Sequence, residues 1–229
     1  GYIASSAAIR DAIAGQTDPE LATHVPMGVA FPASPREVMS DEGRATAIAV
    51  IGGARDVPAY RAVLSGLARI VRNDTGIQVF LELAGPNSHE IWRHAQRLEL
   101  LSQLSAVSDA SKHRELIAQC DLVLLPEQYG EPRSIMYECM AHGVALIAAK
   151  DPLVDGLEHG ESAVVLDQPN ADAWAREINR LLTDRDAARG LAESAREYAR
   201  RHHRSSDQVE RLVRMMHRVA HSGNIPIEG

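Results

Sequence analysis

The 229-residue sequence predicts an α/β fold, a mainly parallel, doubly wound sheet with helices on both faces. Three observations lead there. Short, largely apolar runs recur at Thr46–Ile51, Ile77–Leu83, Leu122–Leu125 and Val144–Ala149, as expected of parallel strands covered on both sides. Longer stretches between them carry apolar residues at helical spacing: Tyr60, Val63, Leu64, Leu67 and Ile70 in one, Ile91, Trp92, Ala95 and Leu98 in the next. Glycine or proline closes the runs, at Gly52-Gly53, Gly85-Pro86 and Pro126, where strands of an open sheet turn into their helices.

Taken in order, Tyr2-Ile3-Ala4 is a strand fragment, and Ser5-Ser6 caps a short helix from Ala7 to Ala14 that Gly15 ends. His24-Val25-Pro26-Met27-Gly28-Val29 then leads into a Pro-rich turn. Thr46–Ile51 is the first buried strand, and the helix behind it runs from about Pro58 to Arg72. Gly52-Gly53 at their junction lets backbone approach a phosphate closely, or is a plain tight turn. Ser88 or Asn87 caps the next helix, in which Trp92 reads as core rather than a stacking platform. Leu100–Leu104 is the expected third strand, and a helix from Ser111 to Gln119 follows.

The centre of the chain is residues 121–150. Leu122–Leu125 is an all-apolar strand that Pro126 ends, and a polar loop follows, Glu127-Gln128-Tyr129-Gly130-Glu131. Pro132 suits the first turn of a helix, which runs from about Arg133 to His142 with Gly143 as its stop. Two carboxylates bracket this junction, Glu131 before the helix and Glu138 within it. A helix start offers N–H groups and a positive dipole end to phosphate or sugar oxygens. Beyond Lys150, Gly160–Leu166 holds another strand, Asn170 or Asp172 caps a helix through Leu182, Asp184 caps one through Arg201, and Ser205 to His221 is the last. In an open sheet of this kind the strand ends at Ile51, Leu83, Leu104, Leu125 and Ala149 share one crevice, which brings Gly52, Glu131 and Glu138 together.

Composition narrows the function. A net charge of −7, with Lys112 and Lys150 as the only lysines, argues against a nucleic-acid binder. Cys120 and Cys139 fall at apolar positions and read as buried free thiols. No apolar run reaches the ~20 residues of a membrane-spanning helix, and no metal-ligand spacing is present. The Arg/His cluster at Arg200–Arg204 reads as a solvated helix end.

Pro126, Glu131-Pro132-Arg133-Ser134 and Glu138-Cys139-Met140-Ala141-His142-Gly143 together resemble the signature of retaining glycosyltransferases of family 4, the group 1 glycosyl transferases. That resemblance implies the C-terminal half of a GT-B fold, whose two domains are both Rossmann-like. Residues 1–36 would be a linker segment from a missing N-terminal acceptor domain, 37–204 the donor-binding domain, and 205–229 a C-terminal helix crossing back onto the missing half. Family members hold the donor diphosphate with Gly-Arg and a later Lys after the first strand; here Gly53 stands in place of that Arg, and Arg55 and Arg61 are the substitutes. Glu131 lies one residue nearer Glu138 than the family's spacing, Arg133-Ser134 replace Phe-Gly, and Asp151-Pro152-Leu153-Val154-Asp155 replaces a Gly-Gly-containing loop.

The resemblance implies transfer of a hexosyl-type group from a nucleotide diphosphate sugar to a glycan or lipid-linked acceptor. A diphosphate leaving group needs charge stabilisation more than a general acid. Arg55 is accordingly one expected catalytic residue, and Glu131, which can hold sugar hydroxyls or face the anomeric carbon, is the other. Gly52, Gly53, Gly85, Arg133, Ser134, Ile135 and Glu138 are the expected donor-binding set, with Glu138 receiving ribose hydroxyls. Neither metal nor further cofactor is expected. The expected setting is the cytoplasm, with the inner face of a membrane where a lipid-linked acceptor would be met. Two other readings stand beside this one: a sugar-nucleotide 2-epimerase of related fold, which lacks its His/Asp/Glu set here, and a degenerate domain that binds a nucleotide sugar or a partner without catalysis.

Overall fold

Apolar runs flanked by turn residues become the strands of a computed structural model that describes residues 2–17, 19, 22–34, 45–72, 76–107, 113–130 and 132–222. The first elements form a small unit: β1 (Tyr2–Ala4), α1 (Ala7–Ala14) and β2 (Ala22–His24), with β1 and β2 paired in parallel. Ser6 caps α1 by accepting from the Ile9 amide.

The larger unit continues with β3 (Thr46–Val50), α2 (Val57–Val71), β4 (Ile77–Glu82), α3 (Ser88–Arg97), β5 (Leu104–Val107), α4 (His113–Ile117), β6 (Leu122–Leu125), α5 (Ser134–His142), β7 (Ala145–Ala149), β8 (Val164–Leu166), α6 (Ala171–Thr183), α7 (Arg185–His202) and α8 (Ser205–Ser222). Six strands form one sheet in the order β5-β4-β3-β6-β7-β8, and each neighbouring pair is parallel. The fold class is therefore the one the sequence predicts. β6 and β7 are buried at every position, so both faces of the sheet's centre are covered, as their unbroken apolar sequence requires.

The two faces fill from different helices. Ile48 and Val50 join Tyr60, Leu64, Leu67 and Trp174 in one core cluster, while Ala49 and Ile51 join Met136, Tyr137 and Met140 in the other. This is the period-two alternation of a strand read on both sides. Asn170 caps α6 through the Ala173 amide, and Asp184 caps α7 through Ala187. Gly143 ends α5 in the left-handed conformation, φ 71°, which a glycine adopts without Cβ strain. Cys120 and Cys139 are both buried, and neither is in a disulfide.

Two expectations need correction. The third strand is Leu104–Val107, not Leu100–Leu104, because residues 101–103 form a turn after α3. Leu100 is buried as the closing residue of that helix, its amide bonded to the Ala95 carbonyl. Ala106 pairs with Leu81 inside the sheet. Pro132 precedes α5 instead of opening it, and Arg133 is the N-cap, in extended conformation with φ −105° and ψ 138°. An N-cap residue keeps extended dihedrals outside the helix, so α5 begins one step later, at Ser134.

The small unit is joined to the large one along a seam. The Asp155 carboxylate accepts from the Ala7 amide at 2.7 Å, and Val29 and His203–Ser205 exchange backbone hydrogen bonds at 2.7 and 3.2 Å. His203 is buried at 4% exposure. Its ring lies 4.1 Å from that of Tyr137, and Nδ1 donates to the Met27 carbonyl at 3.0 Å. Burial pushes the His203 pKa down, which the bond to Met27 offsets in part. The folded chain thus takes up this proton less readily than the unfolded one, so the stability at issue is whole above the ordinary histidine value and falls as pH drops below about 6.5. Thermal melts should show a larger loss between about pH 7.5 and 5.5 for the wild type than for His203→Asn. Equal losses would remove His203 as the cause.

Helix α8 leaves Val209, Val213 and Met216 exposed at 57%, 45% and 70%. Spaced by four and three residues, they share one face. Among the described residues no helix is long and apolar enough to cross a membrane.

Candidate functional site

The sheet order reverses between β3 and β6. From β3 the chain winds outward through β4 and β5, and from β6 it winds the other way through β7 and β8. Loops leaving the carboxyl ends of two such strands diverge to opposite faces and open a crevice between them. On one side stands the Gly52–Asp56 loop ahead of α2, and on the other Pro126–Gly130 ahead of α5.

Glu127 joins the two sides. Its carboxylate accepts from the amides of Gly53, Arg55 and Asp56 at 2.5, 2.6 and 2.7 Å, and from the Tyr129 hydroxyl. A second carboxylate, Glu82 at the end of β4, accepts from the Gly52 amide at 2.9 Å. Both are 6% exposed. The crossing of the loop with the segment after β4 is so close that Gly85 has no room for a side chain: a Cβ there would lie 1.6 Å from the Gly53 carbonyl oxygen. Between them Ala54 takes a positive φ of 49°, and its carbonyl accepts from the Asn87 amide at 3.1 Å.

Two guanidinium groups reach the Tyr129 ring. Arg133 lies 4.6 Å from its centroid and Arg55 6.0 Å, within the range of a cation–π contact. Nη2 of Arg133 is also 3.9 Å from the Glu82 carboxylate. Burial, and then the hydrogen bond to Glu127, hold the Tyr129 phenol well above its usual range, and burial followed by Glu127 does the same for Tyr60. Both therefore stay neutral hydroxyls that donate.

Behind Tyr129 the loop is pinned from the next strand. Asp151, 8% exposed, accepts from the Gly130 amide at 2.7 Å and from Leu153 at 3.0 Å. A partly open pocket lies there, lined by Leu125, Glu127, Tyr129, Arg133, Met136 and Asp151 among others. The start of α5 borders it and, among the described residues, has no side-chain cap from its N-cap Arg133, unlike α2, where the Asp56 side chain accepts from Ala59. An uncapped helix start leaves its first N–H groups and positive dipole end to other partners.

The sequence-predicted residues distribute as follows. Gly52, Gly53, Arg55 and Gly85 meet at one wall of the crevice, and Arg133 reaches it from α5. The Gly52 and Gly53 amides, expected to face a ligand's phosphate, instead bond Glu82 and Glu127, because two buried carboxylates converge on the same loop. Ser134 is exposed and Ile135 is core. Glu138 is buried at 8% exposure, one turn beyond Ser134 on the same stripe of α5, and is not the helix-surface residue that an isolated reading would give. Glu131 lies outside the described residues. Among those described, no group of three or more His, Cys, Asp or Glu side chains could hold a metal ion. Sequence reasoning passed over Glu127, Glu82, Tyr129 and Asp151. Their one signal was position, since each sits at or just beyond the carboxyl end of a strand.

The family model of the glycosyl transferases group 1 matches residues 47–202. No curated protein matches the chain. Solved structures with similar folds include Anabaena HepE in complex with UDP and glucose, at 18% identity and a TM-score of 0.77, covering 93% of this chain and 62% of HepE. Sucrose-phosphate synthase from Thermosynechococcus elongatus matches at 16% identity and 0.77, over 96% of this chain and 58% of the synthase. The C-terminal domain of LpcC, a group 1 family protein from Francisella tularensis, matches at 15% identity and 0.61, over 76% of this chain and 96% of that domain. At these identities the likeness is one of fold. The chain spans about three fifths of the length of HepE and of the synthase.

Proposed function

The chain belongs to the group 1 glycosyl transferases, and from that premise we propose that it is the nucleotide-sugar donor-binding domain of a retaining enzyme. That enzyme would move a hexosyl-type group from a nucleotide diphosphate sugar to a glycan or lipid-linked acceptor. The observation that carries this reading is the switch-point crevice, where Arg55 and Arg133 meet on Tyr129 beside the uncapped start of α5. Two fixed cations and a helix start are what a departing diphosphate requires, since its developing charge is the main thing to be stabilised. Glu138 would receive the ribose hydroxyls, and Glu131 would face the sugar. No metal or further cofactor enters this scheme. HepE, whose solved structure holds UDP and glucose, supports a nucleoside diphosphate as the ligand class. The acceptor half would lie outside this chain and pack on the exposed Val209–Val213–Met216 face of α8.

The degenerate-domain reading has its own support. The Gly52 and Gly53 amides already bond Glu82 and Glu127. Calorimetric titration with UDP, GDP and ADP separates the two. One nucleotide should bind, and Glu138→Ala should weaken it by about tenfold, the loss of a charged acceptor's hydrogen bonds. Absence of binding by all three would leave the donor-domain reading without its ligand.

A further inference from the structure

We propose that Glu127 is an autoinhibitory contact: its carboxylate fills, from within the chain, the amide cradle of the Gly53–Asp56 loop and keeps phosphate off it. The inference rests on the reading of this crevice as a donor site. Three backbone N–H groups, those of Gly53, Arg55 and Asp56, converge on one carboxylate at the mouth of β3. Such a convergence suits an anion of any origin. Here the anion comes from the neighbouring strand end, 71 to 74 residues further along the chain, so it is not the local capping of a turn. Asp56 already caps α2 at Ala59, which makes Glu127 additional to the helix's own requirement.

An incoming diphosphate then meets two obstacles. The amides are taken, and the group that takes them is a nearly buried negative charge, with Glu82 on the adjoining Gly52 amide as a second. Like charges repel more strongly at a water-poor site than in solvent. What remains for the phosphates is the neighbourhood of the Tyr129 ring, where the Arg55 and Arg133 guanidinium groups lie, the latter 3.9 Å from Glu82, and the start of α5. Donor affinity is therefore held below what the same loop would give without its internal anion.

The sign of the effect tests this. A variant that merely damages the loop binds anions more weakly, whereas removal of a competing anion strengthens binding. Inorganic pyrophosphate should bind the Glu127→Ala chain at least about tenfold more tightly than the wild type in calorimetry, the worth of one recovered charge-assisted hydrogen bond. Glu127→Gln, which keeps the shape and loses the charge, should shift in the same direction. Equal or weaker binding by variants with native circular dichroism overturns the proposal. Should neither variant fold, the wild type decides it. The Gly53, Arg55 and Asp56 amide resonances are expected to stay put under millimolar pyrophosphate, and their displacement would show the cradle open with Glu127 in place. The donor reading fails separately, if no nucleoside diphosphate binds the wild type or either variant while pyrophosphate follows the expected pattern.

Discussion

Gly85→Ala is expected to lower the stability of the chain by about 3 kcal/mol or more, the upper range of overpacking effects. The added Cβ falls 1.6 Å from the Gly53 carbonyl oxygen, 2.6 Å from its carbon and 2.9 Å from the Ala54 Cβ. Two of these three atoms are backbone, so no rotamer change relieves the contact. The backbone is also held from both sides. Asn87 donates from its amide to Ala54 and from its side chain to the Arg55 carbonyl at 2.9 Å, while Glu127 grips the amides opposite. Relief must therefore separate β4's outgoing segment from the β3 loop and break one set of these bonds. Gly190→Ala is the control. It meets nothing within 4 Å inside α7, and it should gain up to about 1 kcal/mol of helix propensity. Urea unfolding of both variants checks the pair, with the shift in midpoint read at constant slope. A Gly85→Ala chain within about 1 kcal/mol of the wild type would mean that the crossing of the two segments yields readily to an added methyl group.

The sheet and its helices were legible because burial writes a periodicity into sequence. The face of α2 predicted from Tyr60, Val63, Leu64 and Leu67 is fully buried, and Ile70 at its edge is half-buried. The position of the crevice was legible too, since Gly52-Gly53 and Pro126 end the two strands on either side of the reversal. Periodicity fails at Leu100–Leu104, where an apolar run serves a helix end before it serves a strand. It has nothing to say about Glu127. A carboxylate in a polar loop reads as solvated, and only the parallel pairing of β3 with β6 brings it to amides more than seventy residues away. Glu82 is hidden for a related reason. It closes an apolar strand where a polar residue would ordinarily mark the exit to solvent, yet it is buried against Gly52. The residues that hold this site are thus non-local in sequence and polar in type.

Arg133→Ala should weaken the preferred nucleoside diphosphate by between about tenfold and a hundredfold, the range for losing hydrogen bonds to a charged group. Arg133 is the N-cap of α5, so its side chain stands where the helix dipole already favours an anion. Its guanidinium lies 4.6 Å from the Tyr129 centroid, and Nη1 donates to the Tyr129 hydroxyl at 3.3 Å. These two contacts hold the fork, and a held fork loses less entropy on binding phosphate than a free one. Arg133→Lys keeps the charge without the planar fork and should recover only part of the loss. Separating a phosphate role from damage to the loop needs a ligand without phosphate. The affinity for the corresponding nucleoside should change little in either variant, and the salt dependence of diphosphate binding should flatten with Arg133→Ala as one cationic contact goes. A parallel fall for nucleoside and diphosphate would assign Arg133 to holding Tyr129 and Glu82 in place rather than to the donor's charge. With the nucleoside unaffected and the diphosphate weakened, Arg133 is assigned to the donor's charge, acting from its place against Tyr129 and within 3.9 Å of Glu82.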